Sequence, residues 1–116
     1  MNGPTQPTSE VRFTPEFKRN LQALIKKYRH IRSDIEPVIE QLQRGERPGD
    51  QVTGVGYAIF KVRVRNQDAN RGKRGGYRLI YYLQTATIIV LLTLYSKTEQ
   101  SDITVTEIQH ILAEVE

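Results

Sequence analysis

Apolar residues recur along this chain with two different periods, and the change between them divides it. Phe17, Leu21, Leu24, Ile25 and Tyr28 fall three and four residues apart, with Lys18, Arg19, Lys26 and Lys27 on the other faces. This spacing predicts a helix starting near Pro15, whose fixed φ suits the first helical position after a Thr14 cap. A second helical stripe, Ile35, Val38, Ile39 and Leu42, opens at Ser33. Ser33 and Glu36 have capping-box spacing, Pro37 would still lie in the first turn, and Gly45 with Pro48-Gly49 marks the end. The short connection predicts an antiparallel helical hairpin.

From Tyr57 onward the period is two. In YAIFKVRVR (57–65), Phe60, Val62 and Val64 point one way and Lys61, Arg63 and Arg65 the other, as in a strand with one buried and one cationic face. YRLIYYL (77–83) and TIIVLLTLY (87–95) are the next strands, joined by a short hairpin connection. The last is apolar on both faces, which predicts a central position in the sheet. EVRFT (10–14) reads as a short strand before the first helix. A final helix over about 104–114 carries Ile108, Ile111 and Leu112. Residues 1–9, rich in Pro, Thr and Gln, read as a disordered tail, and 10–116 as one domain. The order is β-α-α-β-β-β-α, an α+β fold with helices on an antiparallel sheet.

Composition narrows the chemistry. With 116 residues, 38% hydrophobic and 26% charged, the chain builds one modest core. No cysteine is present, which excludes disulfides and thiolate metal sites, and His30 and His110 are the two histidines. The run 87–95 is too short to span a bilayer. MNGPTQPTSE has neither the basic nor the apolar region of a secretory signal. A cytoplasmic protein without a membrane association, metal or cofactor is expected.

The charge is concentrated. The net charge is +4, yet residues 61–78 hold seven bases (Lys61, Arg63, Arg65, Arg71, Lys73, Arg74 and Arg78) and one acid, Asp68. The alternation sets Lys61, Arg63 and Arg65 about 7 Å apart along one face, close to the phosphate spacing of an extended nucleic-acid backbone. The glycines of NRGKRGGYR permit close approach of a ligand or a turn with positive φ. A polyanion, most often nucleic acid, is the partner such a face suits. Cations also stabilise a phosphorane when RNA is cut through its 2′-OH. A site here would consist of Lys, Arg and Tyr side chains.

FKVRVR, then GKRGGYRLIYY, then LLTLYSKTEQSDIT, in this order, resemble the RelE/ParE toxin superfamily of type II toxin–antitoxin systems, most nearly its RelE- and HigB-type members. The likeness runs from about Phe13 to the C-terminus. It implies a RelE-like fold with two N-terminal helices on a curved antiparallel sheet. It implies a toxin that inhibits translation as an mRNA interferase, a ribosome-dependent endoribonuclease, neutralised by a cognate antitoxin encoded by an adjacent gene. Lys61 and Arg63 match the strand positions that stabilise the phosphate. Arg78 matches the arginine after the glycine pair that orients it, and Lys97 the basic position between the last strand and helix. Arg65, Arg71, Lys73, Arg74 and Tyr81 are the accompanying RNA-binding candidates. At Ile103-Thr104, where some RelE-type toxins carry a tyrosine or histidine for proton transfer, this chain has neither; Tyr95 and Asp102 are the candidate substitutes. The superfamily also contains ParE-like inhibitors of DNA gyrase, and a non-catalytic RNA-binding module is a third possibility.

Overall fold

The computed structural model describes residues 8–68 and 76–115. Most of the expected tail, and the loop cations Arg71, Lys73 and Arg74, lie outside the described residues. Ser9 does not: its N–H donates to the Gln43 carbonyl at 2.9 Å.

Strand β1 (Glu10–Phe13) leads into helix α1 (Pro15–Ile25) through the expected cap. Thr14 Oγ1 accepts the Phe17 N–H at 2.9 Å and donates to the Leu92 carbonyl at 2.8 Å. One hydroxyl thus closes the helix start and fixes it to the sheet. Helix α2 (Ile31–Gln43) begins two residues before the predicted start, with Pro37 inside it rather than in its first turn. The Ser33 capping box is absent, because Ser33 Oγ donates to the His30 carbonyl at 3.0 Å. Asp68, 38 residues away, closes this end by accepting the His30 N–H at 2.8 Å; a cap supplied from a distant loop leaves no local signature. The far end follows the sequence. Gly45 has φ 93°, its N–H reaches Leu42 and that of Glu46 reaches Gln41, the paired bonds of a Schellman stop.

Four strands follow: β2 (Asp50–Val52), β3 (Ile59–Val64), β4 (Tyr77–Leu83) and β5 (Ile88–Ser96), before helix α3 (Val105–Val115). The sheet order is β1-β5-β4-β3-β2. The sheet is mixed, since β1 runs parallel to β5 while the remaining pairs are antiparallel. Both features correct the expected antiparallel four-stranded sheet. Strand β2 escaped notice because three residues carry no readable alternation. It lies against β3 so closely that a Cβ on Gly49 (φ 91°) would collide with the Lys61 carbonyl oxygen.

Each face of the sheet has its own core. Phe17, Leu24, Ile31, Ile35 and Leu42 of α1 and α2 pack on Val62, Val64, Tyr77, Leu79, Tyr81 and Leu91. On the opposite face, Ile108 and Leu112 of α3 pack on Ile59, Ile80, Tyr82, Val90 and Leu92. Two-sided cover explains the uninterrupted apolar run of β5. It also buries both Tyr81 and Tyr82, on opposite faces. Helix α3 occupies one part of its face; beyond it lie the cations of β3 and β4 and, just past β5, Lys97.

Candidate functional site

The alternation of β3 decides which side chains reach this face. Val62 and Val64 enter the α1/α2 core, so Lys61 and Arg63 project from the other side. On β4, Tyr77 and Leu79 are core residues of the α1/α2 side, so Arg78 projects with Lys61 and Arg63. The register then aligns a row across three strands: Arg63 opposite Arg78, and Arg78 opposite Tyr95.

Arg78 is buried, with 5% of its surface exposed. Its Nη1 donates to the Tyr77 carbonyl at 3.4 Å, and among the described residues no carboxylate oxygen lies within 4 Å of it. The two acids between β5 and α3 have other partners. Glu99 binds Lys27 Nζ at 2.8 Å and the Tyr28 hydroxyl at 3.0 Å, and Asp102 binds Lys97. A buried guanidinium whose one bond among the described residues is a long contact to a neutral carbonyl is poorly compensated there. Such a group favours an anion from outside.

The glycine before it is required sterically. Gly76 has φ 136°, and a Cβ there would lie 2.7 Å from the Val64 carbonyl oxygen. Its own carbonyl accepts the Lys97 N–H at 2.9 Å. The GG-Y-R segment and the end of β5 are therefore joined by backbone, and Lys97 is brought beside Arg78.

Lys97 and Lys61 converge on one carboxylate. Lys97 Nζ donates to Asp102 Oδ1 at 3.1 Å, and Lys61 Nζ stands 3.7 Å from the same oxygen. The Lys97 hydrogen bond, then the charges of Lys61 and, more weakly, Lys97 and Arg78, hold the Asp102 carboxyl below its ordinary value. The segment carrying Asp102 is fastened at several points. Glu99 is tied to α1 as above. The Tyr95 hydroxyl accepts the Ile103 N–H at 3.2 Å. Thr104 and Glu107 form a capping box at the start of α3: Thr104 Oγ1 accepts the Glu107 N–H at 3.1 Å, and Glu107 Oε1 accepts the Thr104 N–H at 2.9 Å. That T-x-x-E signature stands in the sequence and was the readable signal for this anchor. Tyr95 itself is buried, which raises its hydroxyl above the ordinary phenol value.

The other expected site residues separate. Arg65, one residue past β3, is exposed and lines a pocket with Ser33, Asp34 and Pro37 at the start of α2. The adjoining Gln67 is pinned there by Asp34, which accepts its N–H at 3.1 Å and its side-chain amide at 2.6 Å. Tyr81 lies on the opposite side of the sheet from Arg78. Its ring stacks on Phe60 at 5.2 Å between centroids, its hydroxyl donates to the Pro48 carbonyl at 2.6 Å, and burial pushes it up to about 12. The geometry gives Tyr81 a packing role. His30 is paired with Asp68. Among the described residues no three His, Cys, Asp or Glu side chains converge as a metal site, and no helix is long and apolar enough to cross a membrane.

Four cations, Lys61 and Arg63 of β3, Arg78 of β4 and Lys97 just past β5, thus lie together at one end of the sheet. The family model described as RelE toxin of the RelE/RelB toxin–antitoxin system matches residues 16–114, a span that takes in α1 from its second residue, all of α2 and each of these cations. The chain belongs to the RelE toxin family and is the toxin partner of an antitoxin.

Proposed function

We propose that this toxin is a ribosome-dependent endoribonuclease, an mRNA interferase that arrests translation in the cytoplasm. The observation that carries the reading is the buried Arg78, without a carboxylate partner among the described residues, at the centre of the row Arg63–Arg78–Tyr95 and beside Lys61 and Lys97. A single phosphodiester placed there meets a fixed guanidinium from below and ammonium groups at its rim. Cations held in place before the reaction stabilise the dianionic phosphorane that forms when a 2′-oxygen attacks phosphorus. The nucleic acid itself supplies the nucleophile. The ribosome supplies the in-line alignment that a small open face cannot impose, and alignment of this kind is worth roughly 7 kcal/mol or more.

The exposed Arg63 and the half-exposed Lys61 and Lys97 at the rim also suit an acidic antitoxin segment, which would steer onto the face and cover it. Co-purification with the product of an adjacent gene, weakened by charge reversal at Arg63 or Lys61, is the expected behaviour.

Induction of the toxin in cells, with message 5′ ends and DNA breaks mapped in the same samples, tests the assignment. New message ends within codons and intact DNA are expected. DNA breaks with intact messages would reassign the protein as a gyrase inhibitor, and growth arrest with neither would reduce it to a binding module.

A further inference from the structure

Cleavage through a 2′-OH needs a proton acceptor at the attacking oxygen and a donor at the leaving oxygen. The cationic face holds few groups able to accept. Lys61, Lys97, Arg63 and Arg78 carry protons and no free lone pair. The Tyr95 hydroxyl is buried, accepts the Ile103 N–H and is raised by burial. His30 is bound to Asp68 beside α2, and Glu99 is bound to Lys27 and Tyr28. Glu107 caps α3. Among the described residues the remaining group is Asp102. Its side chain is 56% exposed, its Oδ1 faces Lys97 and Lys61, and the charge of Arg78 reaches it from β4.

We propose, on the basis of the cleavage reading above, that Asp102 is the general base of this toxin and that Lys97, its hydrogen-bonded partner at 3.1 Å, is the general acid. The scissile phosphate enters between the two, displacing the carboxylate from the lysines and taking its place beside Lys61 and Arg78. The Asp102 carboxylate takes the proton of the 2′-OH. The 2′-oxygen forms its bond to phosphorus and the phosphorus–O5′ bond breaks. The departing 5′-oxygen takes a proton from the Lys97 ammonium. The products are a 2′,3′-cyclic phosphate and a 5′-hydroxyl, and the protein is left with a carboxylic acid and a neutral amine. When the RNA leaves, the contact re-forms and the proton passes from Asp102 to Lys97, which regenerates the starting ion pair. Lys61, at 3.7 Å from Asp102 and beyond hydrogen-bonding distance, has no place in the exchange and stabilises charge.

The geometry accounts for the chain's lack of a titratable residue at Ile103-Thr104. The acceptor stands one residue earlier, on a segment fixed by Tyr95, Thr104 and Glu99. A depressed carboxylate is a weak base, yet it is fully ionised at neutral pH, and insertion of a phosphate separates it from the lysine that depresses it.

The test uses purified toxin and ribosomes programmed with a defined message. Wild-type, Asp102→Asn, Asp102→Glu, Lys97→Ala and Lys18→Ala proteins are compared from pH 6 to 8, with RNA binding measured in parallel. The wild-type rate is expected to be nearly flat with pH. Asp102→Asn should cleave about 100-fold more slowly, bind RNA at least as tightly, and accelerate about tenfold per pH unit as hydroxide replaces the carboxylate. Asp102→Glu should recover part of the rate, and Lys18→Ala, an exposed change on α1, should match the wild type. A message with sulfur in place of the bridging 5′-oxygen, which leaves without a proton, should rescue Lys97→Ala and leave Asp102→Asn slow. Cleavage by Asp102→Asn as fast as wild type, or faster, would overturn the proposal and make the carboxylate a mere counter-ion that phosphate displaces. Intact message with the wild-type protein would instead remove the cleavage reading, and this proposal with it.

Discussion

Arg63 and Arg78 stand directly opposite each other on β3 and β4, two like charges in register on one face of a sheet. Such a pair is unfavourable in an isolated protein, and burial of Arg78 adds to the cost. Nothing in the α1/α2 core needs either cation, since their neighbours Val62, Val64, Tyr77 and Leu79 supply it. The arrangement is consistent with a face held ready for an anion at the expense of stability.

Replacing Arg78 by Met should therefore separate stability from toxicity. The variant keeps the stem's packing and removes the uncompensated charge, so it should be more stable by about 1–3 kcal/mol while losing growth arrest. Thermal or urea unfolding, read beside a growth assay, checks both. A less stable Arg78→Met protein would mean that the guanidinium is satisfied in the free toxin.

Gly76→Ala should damage the site through the backbone. Its φ of 136° and the approach to the Val64 carbonyl predict a loss of about 1–3 kcal/mol. The Lys97 N–H contact to the Gly76 carbonyl would shift with it. Toxicity should fall further than the stability loss alone explains, which a comparison with an equally destabilised core variant such as Ile35→Val would reveal. Toxicity equal to that of the core variant would show that the glycine serves folding only.

Much of this architecture was legible because it rests on local pattern. The Thr14 cap, the Gly45 stop, the span Tyr77–Leu83 and the alternation of β3 all follow from residues adjacent in sequence. What escaped rests on long-range contact. Asp68 caps α2 from a distant loop, β1 joins β5 in parallel, and β2 is defined by its partner more than by itself. The site shows the same division. Lys61, Arg63 and Arg78 were readable as one face from period and register. The turning of Tyr81 away from it follows from the same period, since Tyr81 stands three positions after Arg78 and enters the α1/α2 core, whereas the convergence of Lys61 and Lys97 on Asp102 needed the fold of residues 97–104.

The link between Glu99 and Lys27 gives a pH dependence. The Lys27 hydrogen bond, aided by Tyr28, lowers the Glu99 carboxyl, so its contribution is present above the ordinary carboxylate value and fades as pH falls through the lowered one. Lys27 is raised by the same partner, and its share fades at the opposite extreme, as pH rises past the lysine range. Glu99→Gln should flatten the acid side of the stability profile. Carboxyl carbon shifts followed by NMR should place Glu99 below an unpaired glutamate; titration at or above the ordinary value would break the link.

The most direct test of the central claim is message cleavage on the ribosome by wild-type toxin and by Arg78→Ala, mapped at nucleotide resolution. The expected outcome is new 5′-hydroxyl ends on ribosome-bound message with the wild type, little cutting of naked RNA, and a loss of at least about 100-fold with Arg78→Ala in a folded protein. Undiminished cleavage by folded Arg78→Ala, or intact message with wild-type toxin during growth arrest, would contradict the account.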